Sequence, residues 1–174
     1  AKTLTDQVEN SGHTYRLDPL SESQIMEVSS KLTEVSGIIH MAPLSLTASK
    51  WEKEGPSNQV ALSSQAWFGL LKGLDNQLAS ASSGIVGSVT AMDGRHGNRG
   101  NKFNSLACGA TGVTKSYAFE RENIRCRALD LHPELLIDAH AAAKLIENDM
   151  FNAGGEVEIG IDRDERRWTM VCFA

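Results

Sequence analysis

A chain of 174 residues fits one domain with a core of its own. Hydrophobic residues at 41% and charged residues at 22% are ordinary globular usage and exclude a disordered or fibrous architecture. The formal net charge of -5 argues against a nucleic-acid binder, which carries a basic stripe.

In chain order the patterns alternate. Thr3 to Glu9 has the spacing of a helix tail, and His13 to Leu17 reads as a short strand closed by Asp18-Pro19. Ser21 and Glu22 open a helix whose apolar positions are Ile25, Val28, Leu32 and Val35, and Gly37 stops it. Ile38 to Met41 is a short apolar run of the kind found in buried parallel strands. Pro43 to Pro56 is a connection. Ala61 to Ser80 is a long amphipathic helix ended by Gly84, and Ile85 to Ala91 is the next strand. A glycine-rich loop from Asp93 to Gly100 leads to a helix from about Phe103 to Arg121. Arg125 to Leu131 is a strand, Leu135 to Phe151 a helix and Glu156 to Ile161 a strand. Arg166 to Phe173 closes the chain as another.

Strands separated by helices predict an α/β fold, a Rossmann-like doubly wound parallel sheet covered on both faces, as one unit over 1–174. Cys108, Cys126 and Cys172 lack C-x-x-C spacing and read as reduced, buried thiols of a cytoplasmic protein. No apolar run is long enough to span a bilayer, and Ala1 to Ser11 is too polar for a signal peptide. Dinucleotide-binding folds open with a strand, a glycine-rich turn and a helix that receives the pyrophosphate. No such turn occurs in the first 40 residues. The opening strands are expected upstream, or the unit never had the motif.

The segment Ser105 to Leu131, SLACGATGVTKSYAFERENIRCRALDL, resembles the central helix and following strand of short-chain dehydrogenases/reductases. Its matching positions are Gly109, Gly112, Thr114, Lys115, Ser116, Ala118 and Glu120. Gly37 to Pro43 is similar to the G-V-I-H-A-A-G strand of synthase ketoreductases, and Ile85 to Gly94 to the strand that presents their active-site serine. The wording of Thr90 to Gly94 and Cys126 to Leu131 is most similar to ketoreductase regions of polyunsaturated fatty acid synthases and iterative polyketide synthases.

Such reductases use a tyrosine as general acid, a lysine that lowers its pKa, and a serine that orients the carbonyl. The resemblance puts the tyrosine position on Phe103, the lysine position on Ala107 and the serine position on or beside Ala91. The asparagine or lysine of the preceding helix falls near Ser63. None of Phe103, Ala107 and Ala91 can do that chemistry. A slip of one residue offers Thr90 or Asn104 and restores no Tyr/Lys pair. Tyr117 occupies an apolar framework position. Pro43 replaces a glycine and would crowd a cofactor ribose or nicotinamide.

Elsewhere the ordinary readings prevail. The loop Asp93 to Asn101 could cradle a phosphate but reads first as solvated surface. His13, His40, His96, His132 and His140 never fall at metal-ligand spacing, so no metal is expected. Trp51, Trp67 and Trp168 read as core or interface aromatics, and Asp162 to Arg167 as a charged turn. His132, Pro133 and Glu134 read as a helix start.

Retained framework with lost chemistry implies a non-catalytic structural subdomain of a ketoreductase in a multidomain synthase. No catalytic, cofactor-binding or metal residue is expected in this segment. The implied partners are a catalytic ketoreductase subdomain and other domains of the same synthase, and indirectly the acyl carrier protein. NADPH is the cofactor of the whole reductase. The alternatives are an active reductase with an unconventional site, and a non-enzymatic Rossmann-like binding module.

Overall fold

The computed structural model describes residues 18, 21–46, 56–100 and 103–171. The helix expected near Thr3, the strand at His13 to Leu17, Trp51 and Cys172 lie outside the described residues. No helix among the described residues is long and apolar enough to cross a membrane.

Helix α1 runs Glu22–Lys31, capped by the Ser21 hydroxyl, which accepts the Gln24 N–H at 3.3 Å. It ends before the Val35 expected from periodicity, because Leu32 is already extended and Glu34 takes a left-handed φ of 59°. Strand β1 is Gly37–His40. Helix α2, Pro56–Val60, continues through a π-helical turn at Ala61–Gln65 into α3, Ala66–Ser80. Strand β2 is Ile85–Thr90, helix α4 Cys108–Glu120 and strand β3 Arg125–Leu131.

The helix expected over Leu135 to Phe151 is broken at its start. A 3₁₀ turn covers Pro133–Leu136, and Asp138 then caps α5, Ala139–Glu147, by accepting the N–H groups of His140 and Ala141. A π turn at Asn148–Asn152 follows, then β4, Glu158–Ile161, and β5, Arg167–Thr169.

The sheet has the order β1-β2-β3-β4-β5. β1 to β4 are parallel, in registers that include Ile38↔Val86, Val86↔Cys126 and Leu129↔Ile159. β5 turns back antiparallel on β4 through Gly160↔Trp168. Because strand side chains alternate between faces, each face gets its own core. Val86 and Cys126 pack with Trp67, Leu71, Leu74 and Tyr117 of α3 and α4. Val89, Leu129 and Leu131 pack with Ile146 and Met150 of α5 and its π turn. A Cβ at Gly87 would sit 2.5 Å from Met150 Sδ, so the glycine lets that side chain reach the sheet.

This is the expected Rossmann-like doubly wound α/β architecture. The crossovers β1 to β2 and β2 to β3 share the α3/α4 face. The crossover β3 to β4 steps the same way across the sheet but carries α5 on the other face, so its hand is opposite. The α4 face therefore brings no helix over β4, and the loop after β2 covers that strand instead.

Candidate functional site

In an open parallel sheet, ligands bind beyond the C-terminal strand ends. The segments after β1 and β2 meet there. The 3₁₀ turn Ala42–Ser45 holds the buried Pro43, whose carbonyl accepts the Leu46 N–H at 2.9 Å. Leu46, Met92 and Ala107 form a small apolar cluster, with Leu62 and Phe103 packed against it. The cluster thus contains Phe103 and Ala107 themselves and the immediate chain neighbours of Ser63 and Ala91.

Ala107 is 2% exposed and Phe103 is half-buried, its ring lying over Gly97, where a Cβ would come within 2.4 Å of the ring. Phe103 does not open a helix as its spacing suggested. Asn104 is extended and its Oδ1 accepts the Leu106 N–H at 3.1 Å, a 3₁₀ turn follows at Ser105–Ala107, and α4 begins only at Cys108. Asn104 Nδ2 donates to Gln59 Oε1, and both residues are buried. Ser63 is 1% exposed, and its hydroxyl donates back to the Val60 carbonyl at 3.4 Å. Ala91, half-buried, follows the last residue of β2.

The glycine-rich loop is organised by three fully buried aspartates. Asp93 accepts the N–H groups of Arg95, Gly97 and Arg99, each at 2.8 Å. Asp130, at the end of β3, accepts the N–H groups of Met92, Asp93 and His96 and the Thr90 hydroxyl, at 2.8 to 3.3 Å. Asp162, after β4, accepts from Trp168 Nε1 at 2.9 Å and from the N–H groups of Asp164 and Arg166. The guanidinium groups of Arg95 and Arg99 approach it at 3.2 and 3.5 Å, and Arg95 stacks 3.3 Å over the Trp168 ring.

Burial raises the cost of charging Asp93, but its backbone hydrogen bonds outweigh that and hold its pKa below the ordinary value. Asp162 is shifted further the same way, burial being outweighed by the Trp168, backbone and Arg95 hydrogen bonds. The loop's N–H groups are therefore turned inward onto carboxylates, the reverse of a phosphate cradle. Asp162, read from sequence as part of a charged turn, is buried.

Two further clusters escaped the sequence reading. His96, at a positive φ of 54°, has a side chain only 6% exposed and lies 3.7 Å from Glu158, which also pairs with Lys115 at 2.5 Å. Neither ring nitrogen of His96 has a hydrogen-bond partner among the described residues. On the other face, Asp149 holds the Arg127 Nε at 3.0 Å and the Arg167 Nε at 2.7 Å, and its pairing with Arg127 is fully buried. The positive φ of His96 shows only once the chain is folded. The Arg95 and Arg99 side chains that approach Asp162, and the Arg127 and Arg167 side chains on Asp149, lie too far away in sequence to form a local pattern.

Of the remaining expectations, His132 caps the 3₁₀ turn by accepting the Glu134 N–H at 3.3 Å. Tyr117 is a framework residue whose hydroxyl donates to Asp75 at 2.9 Å, and burial together with that bond raises its pKa. Cys126 is buried, whereas Cys108, the first residue of α4, is exposed, although its Sγ lies 3.2 Å from Met92 Sδ.

No protein-family model matches the chain, and no curated protein matches it in sequence. Its fold is similar to solved short-chain dehydrogenases/reductases. One from Vibrio parahaemolyticus aligns with a TM-score of 0.57 at 17% identity, over 84% of this chain and 74% of that one. One from Shigella flexneri gives 0.54 at 16% identity, over 74% of this chain and 54% of that one. An alcohol dehydrogenase from Thermococcus sibiricus, complexed with 5-hydroxy-NADP, gives 0.52 at 16% identity, over 68% of this chain and 52% of that one. The chain thus spans about half the length of that dehydrogenase.

Proposed function

We propose that this chain is the non-catalytic, structural subdomain of a ketoreductase in a cytoplasmic polyunsaturated fatty acid or polyketide synthase. There it packs on a catalytic reductase unit that reduces 3-oxoacyl groups on acyl carrier protein with NADPH. The reading is supported by one observation above all: where a reductase would expose its proton donor, this chain has a packed apolar cluster around Ala107 and Phe103. Nor do the described residues fit a dinucleotide. The glycine-rich loop's N–H groups donate to Asp93 and Asp130, and those carboxylates would repel a pyrophosphate.

The test is a titration of the purified chain with NADPH, followed by fluorescence, and an assay of NADPH oxidation with a 3-oxoacyl thioester. Neither saturable binding in the micromolar range nor turnover is expected. Micromolar binding would sink the structural reading and favour an active reductase with an unconventional site.

A further inference from the structure

Two sulfurs and an unbonded imidazole gather at the start of α4. The exposed thiol of Cys108 lies 3.2 Å from the thioether of Met92, a residue 2% exposed. One carboxylate, Asp130, draws Met92 and His96 together, accepting the Met92 N–H on one oxygen at 2.8 Å and the His96 N–H on the other at 3.0 Å. From there the His96 ring, its side chain 6% exposed, reaches to within 3.7 Å of Glu158, and neither of its nitrogens has a hydrogen-bond partner among the described residues. Burial first, then the charges of Asp130, Glu158 and Asp93, raise the pKa of the Cys108 thiol. The thiol therefore borders the same two carboxylates between which His96 lies.

We propose that Cys108, Met92 and His96 form a binding site for a soft monovalent cation of the copper(I) type. The donors decide the class. A hard ion needs carboxylate oxygens, and those nearby are engaged. Asp93 takes the N–H groups of Arg95, Gly97 and Arg99, Asp130 those of Met92, Asp93 and His96 with the Thr90 hydroxyl, and Glu158 holds Lys115. Among the described residues no three His, Cys, Asp or Glu side chains form a metal-holding group, which argues against zinc. A thiolate and a thioether, by contrast, select copper(I).

The spacing suits such an ion. Metal–sulfur bonds of about 2.3 Å on sulfurs this close meet at about 90° and leave one side open for a nitrogen. The rotatable bonds of methionine let that angle widen. On binding, the Cys108 S–H bond breaks, a sulfur–metal bond forms and the proton leaves to solvent, with no electron transferred. The incoming positive charge offsets the buried carboxylates beside it. This inference is independent of the reductase reading.

The test is an anaerobic titration of the reduced chain with copper(I), competed by a coloured copper(I) chelator. Cys172→Ser is the background, so that Cys108 and the buried Cys126 are the thiols left. One equivalent should bind, and Cys108→Ser, Met92→Leu and His96→Gln should each weaken binding at least about tenfold. Met92→Leu conserves volume, so its thermal midpoint without metal should stay near that of the background chain. X-ray absorption of the loaded background chain should show two sulfurs and one nitrogen on copper, a reading that needs no folded variant. Copper(I) binding that Met92→Leu and His96→Gln leave unchanged would overturn the proposal, since an exposed thiol alone would then account for it. So would a single sulfur in the absorption spectrum, or zinc binding as tight as copper(I) and lost in the same variants.

Discussion

Asp130 accepts the backbone N–H of Asp93 at 3.3 Å, and Asp93 in turn gathers the N–H groups of Arg95, Gly97 and Arg99. One buried acid from β3 thus fixes the position from which a second winds the loop after β2. Replacing Asp130 by asparagine keeps the shape but turns an acceptor into an amide donor facing N–H groups. A hydrogen bond to a charged group contributes about 1.5–3 kcal/mol, and an unmet buried donor costs about as much. Asp130→Asn should lower unfolding free energy by about 3 kcal/mol in urea titration, with an unchanged m-value.

A histidine governs a separate pH window. His40 stacks on Trp67 with ring centroids 5.0 Å apart, and its Nε2–H donates to the Leu62 carbonyl at 2.9 Å, within the π turn. Burial brings its pKa from 6.5 down to about 4, against the backbone hydrogen bonds at Leu62 and Ser63. The unfolded chain then binds a proton that the folded one refuses, so its stabilising contribution is complete above pH 6.5 and is lost as the pH falls toward 4. The loss should reach about 3 kcal/mol, and His40→Phe should flatten that window in a stability-against-pH series.

Below it, Asp93 and Asp162 take over, since both are held under the ordinary aspartate value of 3.8. Their stabilisation is present above 3.8 and disappears as acid protonates the folded state. Asp162→Asn should remove part of the acid-induced loss between pH 4 and pH 2, at the expense of a lower thermal midpoint at neutral pH.

Phe103 is half-buried over Gly97, so Phe103→Ala should cost about 2–3 kcal/mol, less than for a fully buried phenylalanine. Phe103→Tyr should be nearly neutral. Adding Ala107→Lys forces an ammonium into a cluster position only 2% exposed, and the double variant should be markedly destabilised. It should not oxidise NADPH with a ketone. Turnover by that variant would mean that the cleft is intact.

A methyl group at Gly160 would lie 2.2 Å from the Gly94 carbonyl oxygen, and backbone cannot give way there as a side chain could. Gly160→Ala should lower unfolding free energy by about 3 kcal/mol or more, whereas Gly154→Ala, with open space around it, should stay within about 0.5 kcal/mol.

The parallel strands at Ile38 and Ile85 were legible because each opens with a short apolar pair directly after a glycine, Gly37 and Gly84. Element starts were less so. Asn104 and Asp138 each draw the chain into a side-chain cap, and both signals stand in the sequence as a polar residue just before the helix. The spacing of Phe103 and Ala107 located the cluster at the sheet edge without showing that its walls come from Leu46 and Met92. The buried charges were hidden. Asp162 follows β4 in a run of charged residues that looks like any solvated turn, and only the fold brings Arg95, Arg99 and Trp168 onto it.

The loop that covers β4 also sets an order in time. Met92 and His96 reach Asp130 across 38 and 34 residues, and Arg95 and Arg99 reach Asp162 across 67 and 63. Chains are made from the N-terminus at roughly 5–20 residues per second. β1, β2 and both helices on their shared face can thus assemble seconds before the last anchor of this loop exists. During that interval Trp67 and the π turn are already committed, while Arg95 and Arg99 have no carboxylate to meet. The segment made in the middle of the chain therefore gains its last contacts only after β4 has been made.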